Sequence, residues 1–307
     1  MYLPLVDVTP VCRGDLRYPT ALAAIDDPPE TLWIRGRADA LQTPCVAIVG
    51  SRVASPYALE VARQLGADLA RRGITVISGM ARGVDSAAHR GALDGGGTTI
   101  AVFGCGVDVI YPREHAGLAK QICEKGALVS ELPPGTLPLK YHFPNRNRII
   151  SGLSLAVVIV EAADKSGSLI TANCALRQGR DVLAVPGNIL GGRNCGAHRL
   201  LRDGAKLVES ANDIIEELNF GIGQKESKGL KPASQDPVLR CMTEGEPYDL
   251  DELADRCGLD RARLFPRLLE LELAGALRRV TGGRFVRFGL PRRSSGRSEP
   301  GSKGRPC

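Results

Sequence analysis

Aromatic residues are scarce in this chain: six Phe, six Tyr and one Trp make up only 4% of its 307 residues. Long apolar runs are missing too. No stretch reaches the ~18 consecutive apolar residues of a membrane-spanning helix. The N-terminus, MYLPLVDVTP, lacks the basic start and apolar core of a signal peptide. A cytoplasmic protein with no membrane partner is the expectation. The nine cysteines form no C-x-x-C pair and share no zinc-ligand spacing with the four histidines. They are expected to be free thiols, Cys307 the most exposed, and no metal is expected. The turn after Val46–Val49 does not read G-x-G-x-x-G, Gly104-Cys105-Gly106 lacks a third glycine, and no Walker A sequence occurs. No dinucleotide or other cofactor is therefore expected, and no Ser-His-Asp or Cys-His constellation is visible.

Excess charge is also nearly absent from the body of the chain. The formal net charge is +6, but residues 291–307 hold five Arg or Lys and one Glu, leaving 35 basic against 33 acidic groups elsewhere. Nucleic-acid binding cannot rest on bulk charge and must rest on local clusters.

One such cluster is KYHFPNRNRIISGLS, Lys140 to Ser154. It sets Lys140, His142, Arg146 and Arg148 beside Tyr141 and Phe143, and no Asp or Glu occurs from Leu132 to Val160. Cations next to flat rings suit a single nucleic-acid strand, phosphates on the charges and bases on the rings. Equally, the stretch reads as a basic helix N-terminus whose arginines pair with carboxylates elsewhere in the fold.

Around it, strand and helix patterns alternate. Apolar runs at Val46–Val49, Ile74–Ile77, Thr98–Phe103, Leu128–Ser130, Leu155–Val160 and Val182–Val185 read as strands, with another at Leu32–Ile34. Helices are expected from about Pro56, where Ala58, Ala62, Leu65 and Leu69 repeat at helical spacing up to Gly73, over Val84–Leu93, near Glu114–Glu124, and over Leu169–Gln178. Strands apolar on both faces, alternating with helices, predict a doubly wound α/β fold with a mostly parallel sheet. Three strand ends carry Gly-rich turns: Gly50-Ser51-Arg52, Ser78 to Gly83, and Gly104-Cys105-Gly106. At the carboxyl edge of a parallel sheet such turns, each leading into a helix, suit a phosphate-binding rim that Arg52 would strengthen. His89 reads as packed, and Asp85 as a helix-dipole partner.

After Leu218 the pattern changes. Residues 221–235 read as a Gly/Lys/Ser-rich linker. Val238–Thr243, Asp249–Cys257 and Asp260–Ala274 read as three helices and Leu277–Phe288 as a hairpin around Thr281-Gly282-Gly283, which predicts a winged helix-turn-helix. Gly258 suits its tight turn and Asp260 a helix N-cap. Pro266 implies a kink or a later start for the third helix.

The ordered blocks VAIVGSR, SGMARGVDSAAHRGAL, FPNRNRIISGLS, EAADKSGSLITA, AVPGN and GAHRLLRDGA resemble the DNA-processing protein A (DprA, or Smf) family from about Tyr18 to Phe288. The resemblance implies an extended Rossmann-like fold that binds single-stranded DNA in natural transformation, loads RecA recombinase onto it, acts as a homodimer and is not an enzyme. Arg52 resembles the family's phosphate-binding arginine, Lys140 its basic pocket residue and Phe143 its base-stacking ring. The candidate DNA-contacting set is Ser51, Arg52, Gly79, Lys140, Phe143, Asn145, Arg146, Arg148 and Ser168. The expected organisation is residues 1–17 as an N-terminal segment too short for the SAM-like domain of many members, 18–220 as the strand-binding domain, 221–235 as linker, 236–290 as winged helix and 291–307 as a disordered basic tail. Two rivals stand beside this reading. One is a nucleoside-monophosphate phosphoribohydrolase of the related Rossmann-like group, although Asn173 stands where its P-G-G-x-G-T-x-x-E block points to an acid. The other is a winged-helix regulator of duplex DNA using Arg261, Arg263 and Arg267, which a solvated helix face explains equally well.

Overall fold

The computed structural model describes residues 8–218, 236–243, 246–273, 277–280 and 284–287. The expected linker, the basic tail with Cys307, the turn at Thr281–Gly283 and the Arg263 side chain lie outside the described residues. The chain divides into two compact units, 1–221 and 222–307.

The first unit opens with β1 (Val8–Cys12), a short helix α1 (Thr20–Ala23) and β2 (Thr31–Gly36). β1 lies at one edge of the main sheet, antiparallel to β2. The sheet thus starts before Tyr18, inside the segment expected to precede the domain. Its alternation is diluted by Pro10 and exposed positions, which hid it. From β3 (Cys45–Val49) the alternation is regular: α2 (Pro56–Arg71), β4 (Thr75–Ser78), α3 (Val84–Asp94), β5 (Thr99–Val102), α4 (Ala116–Lys125), β6 (Ala127–Ser130), α5 (His142–Gly152), β7 (Ala156–Ile159), α6 (Ser168–Arg177), β8 (Asp181–Ala184), α7 (Cys195–Arg202), β9 (Lys206–Leu207) and α8 (Ala211–Glu217). Pro56 opens α2 behind Ser55, whose hydroxyl accepts the Ala58 N–H, as expected of a capped, proline-led first turn.

The nine strands run β1-β2-β6-β5-β4-β3-β7-β8-β9, parallel throughout from β6 to β9. Side chains of β3 and β7 alternate between two cores. Ala47, Val49, Val157 and Ile159 join Ile149 and Ile150 of α5 on one face. Val46, Ile48, Ala156 and Val158 join Leu65 and Leu69 of α2 on the other. Both faces are covered, so these strands carry no polar side, and each buried Val or Ile contributes ~1.5–3 kcal/mol. Chain order runs outward from β3 to β6 and then returns to β7 on the opposite side of β3. A crevice forms where order reverses, at the carboxyl ends of β3 and β7.

The second unit contains α9 (Pro237–Arg240), β10 (Pro247–Tyr248), α10 (Leu250–Cys257), α11 (Arg261–Leu273), β11 (Leu277–Val280) and β12 (Arg284–Arg287). Val238, Leu253, Leu264, Leu268 and Phe285 form its core. β10 pairs with β12, so the expected hairpin is a three-stranded sheet. α10 ends at Gly258 in the left-handed conformation (φ 64°). α11 begins at Arg261 and passes through Pro266; the amide bond forgone there is the one to the Ala262 carbonyl.

Candidate nucleic-acid interface

The reversal crevice is a cleft of about 500 Å³ lined by Ser51, Arg52, Phe143, Arg146, Lys165 and Ser168 among others. Four chain segments build it: the turn after β3, the loop from β4 into α3 with Ala81 and Asp85, the first turns of α5, and the turn between β7 and α6. Arg52 and Lys165 are exposed. Neither has a carboxylate partner among the described residues; the Arg52 guanidinium instead lies 5.7 Å from the centroid of the Phe143 ring. That ring is half-buried and tilts against Tyr111 at 5.5 Å.

Arg146 lies underneath. Its side chain is buried, and Nη1 donates to the Gly79 carbonyl at 2.8 Å and to the Val102 carbonyl, joining the ends of β4 and β5. Gly79 is there for close approach: a Cβ would lie 2.6 Å from Nη1. Desolvation pulls the Arg146 pKa down to about 10, against the opposing pull of the buried Asp85 carboxylate. Burial in turn pushes the Asp85 carboxyl up, with Arg146 countering. Asp85 accepts the Gly79 and Ala81 N–H groups at 3.1 and 3.3 Å. It therefore clamps the 79–83 loop, beyond the dipole role expected of it. Between those two amides Met80 sits at φ 60°, a strained value for a side chain of its size that the clamp helps to hold.

The helix N-termini contribute less than the Gly-rich turns suggest. At α2 the Ser55 N–H and hydroxyl already meet the Glu161 carboxylate (3.2 and 2.6 Å), and at α3 the Val84 N–H meets the Ser51 carbonyl. No helix directly follows Gly104-Cys105-Gly106. That turn pairs with the 133–136 loop, through Gly106 N–H to the Thr136 carbonyl and Gly135 N–H to Asp108. In the crevice an anion would meet the two cations and the Ser51, Ser166 and Ser168 hydroxyls.

Of the remaining expected residues, Lys140 is exposed in the loop before α5 and does not line the cleft. Asn145 and Arg148 face a neighbouring cleft. Arg148 donates to Glu131 at 2.9 and 2.7 Å and to Asp27 at 3.0 Å, so carboxylates from outside the acid-free stretch take up its charge. His89 is buried as expected, Nδ1 on the Thr99 hydroxyl. Lys165 and Ser166 are cleft residues outside the expected contact set. Lys165-Ser166-Gly167-Ser168 has the strand–turn–helix signal of the other rim segments, but the neighbouring of β3 and β7 is not written locally.

Residues 9–219 match the family described as DNA recombination-mediator protein A. The chain belongs to that family. Residues 226–283 match the DprA winged helix domain. Protein Smf of Escherichia coli K12 is 45% identical over 281 residues, 88% of this chain and 75% of that one. The DNA processing protein DprA of Streptococcus pneumoniae R6 is 45% identical over 203 residues, 66% and 72% of the two chains. The X-ray structure of S. pneumoniae DprA superposes with a TM-score of 0.67 at 44% identity, over 69% of this chain and 75% of that one. The Helicobacter pylori protein, described for its single-stranded DNA binding mode, gives 0.62 at 31% identity over 69% and 95%. The chain thus carries both a mostly parallel Rossmann-like sheet and a winged-helix domain. Among the described residues no helix is long and apolar enough to cross a membrane.

Proposed function

We propose that this chain binds single-stranded DNA in the reversal crevice, phosphates at Arg52 and Lys165 and a base against Phe143, and that it presents the strand to RecA recombinase during transformation and recombination. The observation that carries the reading is the pairing of two uncompensated, exposed cations with a half-exposed ring at the topological switch point. Cations supply a sequence-independent grip on phosphates, while a ring accepts any unstacked base. A duplex keeps its bases stacked internally and offers the ring nothing.

The protein acts here as a binding and hand-over factor in the cytoplasm, as a homodimer, and not as a hydrolase. Support for the recombination role comes from family membership and from the single-stranded DNA binding of the H. pylori relative. A duplex-reading winged helix is less favoured, because Arg261 is paired with Asp251 and Arg267 with Asp236 and Glu270.

Fluorescence anisotropy with labelled single-stranded and duplex oligonucleotides across a salt series tests the reading. The single strand should bind tighter, and Arg52→Ala should reduce the slope of log affinity against log salt by about 0.7. Equal affinity for both forms with an unchanged slope refutes it. Incubation with AMP should release no adenine, sedimentation should give a dimer, and the bound strand should accept RecA faster than free DNA.

A further inference from the structure

A second cleft, of about 390 Å³, opens on the other side of the first turn of α5. Asp27, Glu131, Tyr141, His142, Asn145 and Arg148 line it, and Arg146 lines both clefts, so the two share a wall. Their chemistry is opposite. The first presents unpaired cations. In the second, the Arg148 guanidinium is held by both Glu131 oxygens and by Asp27, which leaves this triad with one net negative charge. Arg146 is buried and donates to the Gly79 and Val102 carbonyls, so this cleft offers a phosphate no exposed cation. A nucleobase needs none.

The walls fit a base in three respects. Tyr141 is 62% exposed in a chain poor in aromatics, and its ring is fixed edge-on against His142 at 4.4 Å. Asn145 is exposed, and its side chain makes no hydrogen bond to a described residue. Arg148 spends its N–H groups on carboxylates whose oxygens keep further lone pairs, and the buried His142 Nδ1 has no partner among the described residues. Guanine is the base that offers adjacent N1–H and N2–H donors to a carboxylate. Adenine turns a bare ring nitrogen toward it.

We propose that this cleft is a second subsite for the same DNA strand, stacking a base on Tyr141 and preferring guanine through the Glu131–Asp27 acceptors. The proposal rests on the reading of the first cleft as the phosphate site. It would give Asn145 and Arg148, two of the expected contacts that face away from Arg52, the next base along to serve.

The test uses the full chain with labelled (dTdG)6 and (dTdA)6. The parent should bind (dTdG)6 more tightly by roughly five-fold or more, the discrimination of one good base contact. Tyr141→Ala should weaken both oligonucleotides by about five-fold or more at unchanged salt slope. Asp27→Asn and Glu131→Gln should each narrow the guanine preference, and Asp27, 81% exposed in its pair with Arg148, is the change that leaves folding intact. Arg52→Ala should weaken both oligonucleotides alike and leave the preference standing. If the parent binds both equally, or Tyr141→Ala binds like the parent, the second subsite is overturned while the phosphate site survives. A parent that binds neither overturns both.

Discussion

Replacing Phe143 with alanine separates stacking from packing. The ring is half-buried, rests on Gly104, where an added Cβ would come 2.9 Å from Cδ1, and has Tyr111, Arg52 and Arg146 around it at 5.5, 5.7 and 6.0 Å. It belongs to none of the four apolar cores among the described residues. Full removal of a core Phe costs ~3–5 kcal/mol, so a ring at the rim should cost about 1 kcal/mol, or about 2–4 °C in Tm for a domain of this size. Stacking of one base is worth about 1–3 kcal/mol, so affinity for a single strand should fall between roughly five- and 150-fold. No phosphate contact goes with the ring, so the salt slope should stay where it is, in contrast to the loss of about 0.7 for Arg52→Ala. Anisotropy from low to moderate salt, with a melting curve on each variant, reads all three quantities. A variant that melts ten or more degrees lower yet binds like the parent in the cold refutes the stacking role and returns Phe143 to the core.

Gly79→Ala forces a methyl against the Arg146 guanidinium 2.6 Å away. Displacing that buried charge from its two carbonyls should cost ~3–5 kcal/mol and lower Tm by about 6–20 °C; a Tm within two degrees of the parent would show that the helix shifts freely. His89 gives a pH signature. Burial first, with His115, Arg146 and Arg90 adding, depresses its folded pKa from 6.5 to about 3. Between those values the unfolded chain binds a proton that the folded one refuses, so stability is complete above pH 6.5 and is lost toward pH 3, at up to about 1.4 kcal/mol per unit. His89→Asn should flatten the stability–pH curve by that slope, measured by urea titration from pH 7 to 4; parallel curves would sink the assignment.

Where the signal is local, the sequence reads well. α2 follows from four apolar residues at helical spacing and a leading proline, and β3 and β7 from runs with no polar side. The site divides differently. Arg146 and Arg148 look alike in FPNRNR, but residues two apart on a helix point to different sides, and only the fold brings Glu131 and Asp27, the latter 121 residues away, to Arg148. The crevice exists because β7 returns to the flank of β3, a fact of chain topology with no residue to mark it. For that reason alone, nothing local to Lys165 marks it as a neighbour of Arg52.

One buried side chain has a kinetic consequence. Arg146 staples α5 to the carbonyls that end β4 and β5, and Phe143 sits three residues earlier on the same helix, within 6.0 Å of that guanidinium. The ring is parked when the chain folds, so its freedom is already spent before any strand arrives. Ordering on encounter then falls to the DNA, whose flexible backbone must be straightened nucleotide by nucleotide. Strands that stack on themselves, such as runs of adenine, should therefore engage more slowly than runs of thymine, with the protein's own shape unchanged throughout.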